Sequence, residues 1–140
     1  MNKTTHELFS ELIQSKSLKT FADHNHDNLI VPHPLTYFNS IINKKNLSKS
    51  QIIQNTGLER TYAYHLLSEK KNMSRDKILI FSLAGMLSLE ETNNFLKYSK
   101  AQILYARNPR DCIIIYSIMQ KLSVLETNEI LSDFNLDILK

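Results

Sequence analysis

Helix-start signals recur along this chain, and nothing else in it constrains the fold as strongly. Thr4, Ser48, Ser88 and Ser123 each stand three residues ahead of Glu7, Gln51, Glu91 and Glu126. At that spacing the hydroxyl accepts from the backbone N–H of the third helical residue, whose own side chain can return the bond. Ser74 and Asn108 are further caps, and Asn108 is followed by Pro109 at the first helical position, where the missing N–H is not needed. Behind these starts the apolar residues fall at helical spacing, as in Leu8, Phe9, Leu12 and Ile13, or Leu35, Phe38, Ile41 and Ile42. Two glycines and three prolines in 140 residues are too few for a tight-turned sandwich or barrel, and supply no glycine-rich cradle for a phosphate. The expectation is an all-α chain.

The signals divide the chain. An amphipathic helix is expected over 4–16, then a polar loop over 23–28. Val31-Pro32-His33-Pro34 forms a boundary, since two prolines around one residue stop any helix. Seven helices should follow: 35–45, 48–55, 59–68 and 75–86, then three starting near 88, 108 and 123. Gly57, the only glycine before Gly85, separates the second from the third, with Ala63, Leu66 and Leu67 as the inner face of the third. Three regions result: a helix and linker (1–34), a central domain (35–99), and a terminal hairpin (100–140).

That hairpin repeats what precedes it. At an offset of 35 residues, 13 of the 30 positions from 75 to 104 recur, among them Arg75-Asp76 as Arg110-Asp111 and Glu91-Thr92-Asn93 as Glu126-Thr127-Asn128. Two stacked helical hairpins, each burying its apolar face on a neighbour, are the physical reading. Two copies are too short for a tetratricopeptide-like array.

Charge is unevenly spread. The net +3 comprises −1 over 1–34, +5 over 35–77, +2 over 78–110 and −3 over 111–140. A basic segment beside an acidic tail suits a polyanion-binding element attached to an interaction element. No window approaches 18 apolar residues, and the first ten residues lack the apolar run of a signal peptide. The single cysteine, Cys112, can make no internal disulfide, which fits a reducing cytoplasm. Flanked by Asp111 and three isoleucines, it reads as an inert core thiol, on a segment buried from two sides.

The informative stretch is the second helix, the turn and the third helix. A two-turn helix, a tight turn at Thr56-Gly57-Leu58 and a second helix form a helix-turn-helix layout, in which the second helix enters the DNA major groove. The run from Leu47 to Tyr62, Leu-Ser-Lys-Ser-Gln-Ile-Ile-Gln-Asn-Thr-Gly-Leu-Glu-Arg-Thr-Tyr, resembles the DNA-binding core of the Xre/Cro/cI (phage-repressor-like) helix-turn-helix family. The resemblance continues through Glu69-Lys70-Lys71-Asn72-Met73-Ser74 into Ala84-Gly85-Met86-Leu87-Ser88, covering about residues 35 to 99. Glu69 stands where the family usually has glycine, and Glu59 where a small capping hydroxyl is common.

The resemblance implies a sequence-specific, double-stranded-DNA-binding transcription regulator with a lambda-repressor-like fold, acting as a homodimer. By position, Arg60, Thr61, Tyr64 and His65 would face base edges, Arg60 being able to pair with guanine O6 and N7. Lys49, Lys70, Lys71 and Asn72 would sit on phosphates. Tyr62 reads as a packing residue. No catalytic step, metal or cofactor is implied. A second function class stays open, an adaptor or antitoxin on the same scaffold, with a protein partner at 106–140. The set His24, His26, His33, Asp23 and Asp27 lacks a Cys partner and helical His spacing, so it reads as a polar loop.

Overall fold

Side chains cap the helices where the sequence places them. In the computed structural model, which describes residues 3–29, 31–68 and 73–140, Thr4, Ser48, Ser74, Ser88, Asn108 and Ser123 each accept from the backbone N–H three residues on. The chain is all-helical among those residues, with nine α-helices: α1 (Thr5–Gln14), α2 (Leu18–His24), α3 (Pro34–Lys44), α4 (Lys49–Thr56), α5 (Arg60–Ser68), α6 (Arg75–Ala84), α7 (Leu89–Tyr98), α8 (Pro109–Gln120) and α9 (Val124–Asp133). The bond is returned only at Ser88 and Ser123, where Glu91 and Glu126 accept from the cap's own N–H; Ser48 caps without that return. No helix among the described residues is long and apolar enough to cross a membrane.

Two compact units divide at Pro32/His33. In the first, α1 and α2 hold each other through a polar hub. Asn25, fully buried, donates to Glu11 Oε1 at 2.9 Å and to the Phe21 carbonyl at 3.0 Å, and accepts from Lys3 Nζ at 2.6 Å. Lys3 Nζ also donates to Glu11. The expected polar loop over 23–28 is therefore ordered otherwise: α2 runs through His24, and His26–Asn28 form a 3₁₀ turn. Only Phe21 is buried in α2, too little for a visible period.

The second unit holds one core running from Leu35 to Leu139. All seven helices expected after the prolines are present in it. Three of its corners share one construction. Asn46, Met86 and Lys121 take left-handed backbone (φ 56, 53 and 56°), and the following leucines, 47, 87 and 122, donate to the carbonyls of Ile42, Ser82 and Ser117. A serine cap then opens the next helix, so each corner closes the last turn and starts the next within three residues.

The repeat pairs reciprocally. Arg75 donates two bonds to Asp111 (3.0 and 2.9 Å), and Arg110 donates two to Asp76 (2.9 and 2.9 Å). Each aspartate also accepts from the backbone N–H that follows the other copy, Tyr105 N to Asp111 at 3.0 Å and Lys140 N to Asp76 at 3.2 Å. Likewise α6 packs on α9 as α8 packs on α7. Stacking by translation would send Arg110 forward along the chain; the return to Asp76 makes this a closed, two-fold-like pair. Cys112 corrects the sequence reading: it is exposed, and so is Tyr116, because α8 is covered on one side where the apolar run suggested two.

Candidate nucleic-acid interface

Three residues, Gly57, Leu58 and Glu59, separate α4 from α5. Gly57 ends α4 at φ +74°, a left-handed conformation that costs a β-carbon residue about 1 kcal/mol or more. Thr56 builds the corner from inside. Its buried hydroxyl donates to the Ile53 carbonyl at 2.6 Å and accepts from Leu58 N at 3.2 Å. Glu59 then caps α5: its Oε2 accepts from Tyr62 N at 2.7 Å, while its carbonyl takes the first helical bond from Ala63. The glutamate thus fills the role of the smaller hydroxyl. Ile52 and Ile53 of α4 and Ala63 and Leu67 of α5 are buried, with Leu58 and Leu66 packed against the same core.

That burial turns the opposite face of α5 outward. Arg60, Thr61, Tyr64 and His65 are all exposed along it. The Arg60 guanidinium has two neighbours: it donates to Ser50 Oγ on α4 at 2.9 Å and lies 5.4 Å from the centre of the Tyr64 ring. A planar donor fork fixed over an aromatic face loses less rotamer freedom on pairing with a base edge or phosphate. Lys49, the first residue of α4, is exposed at that helix's N-terminus, where the backbone partial charge is positive. Lys70, Lys71 and Asn72 lie outside the described residues, as does Glu69.

Tyr62 departs from its expected packing role. It is exposed, with Lys77 Nζ 5.8 Å from its ring centre, so a second cation–aromatic contact borders the face. Ser50 and Thr56 were not singled out by the sequence. Each works through a contact that depends on how α4 crosses α5 and on the turn's backbone, neither of which is written in residue spacing. Among the described residues no group of three or more His, Cys, Asp or Glu side chains is placed to hold a metal ion. No family model, no curated protein and no solved structure matches the chain.

Proposed function

We propose that the chain is a sequence-specific regulator of transcription that binds double-stranded DNA as a homodimer, in the manner of the Xre/Cro/cI class it resembles. On this reading α4 and α5 are the helix-turn-helix, α5 enters the major groove, and the protein acts in the cytoplasm without a catalytic step or cofactor. The observation that carries it is the outward face of α5, where Arg60 is steadied by Ser50 and Tyr64 beside Thr61 and His65. Arg60 supplies the bidentate fork that recognises guanine, Thr61 a hydroxyl and a methyl, and Tyr64 and His65 longer polar reach. Lys49 supplies a phosphate contact at a helix N-terminus, with Lys70, Lys71 and Asn72 as further phosphate contacts. The +5 charge over residues 35–77 is the electrostatic footprint such a face needs.

The test is fluorescence anisotropy with duplexes from the protein's own upstream region and scrambled controls, across a salt series. The expected result is a preference of about a thousandfold or more for one duplex, with a steep salt slope. Arg60→Ala should cost about 1–3 kcal/mol on that duplex and relax its sequence preference. Lys49→Ala should instead weaken all duplexes alike and reduce the salt slope by about one. Equal, weak binding to every duplex, unchanged by Arg60→Ala, would overturn the reading.

A further inference from the structure

The two copies of the repeat are not equally covered. On α6 and α7, Phe81 and Phe95 are fully buried because Phe38 of α3 reaches both, edge-on to Phe81 at 5.9 Å and stacked on Phe95 at 5.2 Å. Lys45, at the end of α3, donates to the Met86 carbonyl at 3.3 Å and to the Glu91 carboxylate at 2.6 Å. Thirty-five residues later the same face is open. Tyr116 and Ile130 take the places of Phe81 and Phe95 and, with Ile113, Phe134 and Leu136, line an apolar groove of about 550 Å³. Tyr116 is 54% exposed and Phe134 66%.

The chain also carries a second copy of the cover. At an offset of 29 residues, Phe9, Ile13, Lys16 and Leu18 are identical to Phe38, Ile42, Lys45 and Leu47, while Leu12 stands for Ile41 and Gln14 for Asn43. In α3 this stripe is core, with Phe38 at 0% and Ile42 at 3% exposure. In α1 it faces outward, with Phe9 at 60% and Ile13 at 67%. The polar side of α1 is the side already in use, through Glu11 and the Asn25 hub.

We infer that the α8–α9 groove is the docking site for α1 of a second copy of this chain. Phe9 enters between Tyr116 and Ile130 as Phe38 does between Phe81 and Phe95. Leu12 and Ile13 lie along the groove, and Lys16 reaches Glu126 and the Lys121 carbonyl, the counterparts of Glu91 and Met86. Each copy offers both an α1 and a groove, so the exchange closes as a two-fold dimer and covers both exposed apolar surfaces at once. The inference names the surface for the homodimer in the proposed function and needs nothing from the DNA reading.

The test is sedimentation equilibrium of the full chain without DNA. The wild type should be a dimer, and Phe9→Glu and Tyr116→Glu should each weaken it at least about tenfold. An equimolar mixture of the two variants should dimerise again, because it retains one intact α1 and one intact groove. Both side chains are exposed, so thermal melts should show the variants folded. Cys112, the only thiol, borders the groove and reports on it: its reaction with an aromatic disulfide reagent should slow as the wild type dimerises and stay fast in Phe9→Glu. Dissociation by Tyr116→Glu alone would mean that grooves pair with each other and overturn the inference. So would a dimer that neither variant disturbs. A wild-type monomer overturns it as well, whether Cys112 is protected, by closure within one chain, or free, as for a groove that takes another protein. Arg60→Ala leaves every one of these readouts unchanged, so loss of the DNA reading and loss of this one are separable.

Discussion

Glu59 caps α5 with a carboxylate two bonds longer from the backbone than the serine hydroxyls that cap α4, α6, α7 and α9. It reaches Tyr62 N because the chain enters α5 directly from the tight corner held by Gly57 and the Thr56 hydroxyl. Glu59→Ala leaves that N–H to water, and the expected loss is about 1 kcal/mol of unfolding free energy, measured by urea denaturation. Glu59→Asp should restore most of it, since aspartate caps well from the same position. Arg60, Thr61, Tyr64 and His65 were legible as an exposed face because one helical period, with Ala63 and Leu67 inward, fixes it. The Ser50 partner of Arg60 was not legible, because the contact spans two helices and depends on their crossing.

At the scale of elements, the caps were legible because they are local: a Ser, Thr or Asn side chain at a helix start accepts from the backbone N–H three residues on, whatever else the chain does. The left-handed corners at Asn46, Met86 and Lys121 were not, since none of those residues is glycine. The helix α2 was missed because one buried phenylalanine makes no period. The repeat was legible as similarity, yet its geometry was not, since the same residues serve a translated stack or a closed pair. Arg75–Asp111 and Arg110–Asp76 decide for the pair, and they bring a pH dependence with them. Burial pushes the Asp76 carboxyl up, but the Arg110 guanidinium and the Lys140 N–H more than offset this and hold it below the usual aspartate value. Glu91 is also lowered: burial raises it, and the Lys45 ammonium and the Ser88 N–H outweigh that. A carboxyl depressed in the folded state binds its proton more weakly there than in the unfolded chain. Its stabilisation is complete above the unfolded value, about 3.9 for aspartate, and disappears as pH falls through the lower folded one. Asp76→Asn should therefore cost about 1–3 kcal/mol at pH 7 and show a shallower further loss below about pH 4 than the wild type. Urea midpoints across that range check both.

At the scale of the molecule, apolar burial is divided very unequally between the two units. The core from Leu35 to Leu139 belongs wholly to 33–140, whereas Phe21 is the only buried apolar side chain described in the first unit. His33 begins the larger unit with its own cap, its Nδ1 accepting from Leu35 N at 3.2 Å, so α3 needs nothing upstream to start. A chain of residues 33–140 should accordingly keep its helical circular dichroism and melt within a few degrees of the full chain. Residues 1–32 alone cannot bury enough surface to offset the entropy of ordering them, a length below about 40 residues rarely folding unaided. As a free peptide they should be largely unstructured, despite the Thr4 and Ser17 caps and the Asn25 hub. If α1 docks as inferred, helicity should return when the peptide is titrated with the 33–140 chain. It should not return with the Tyr116→Glu form of that chain, whose groove carries a charge where Phe9 has to enter. A peptide helical on its own would place the stability of α1 in the polar hub instead of in the surface it covers.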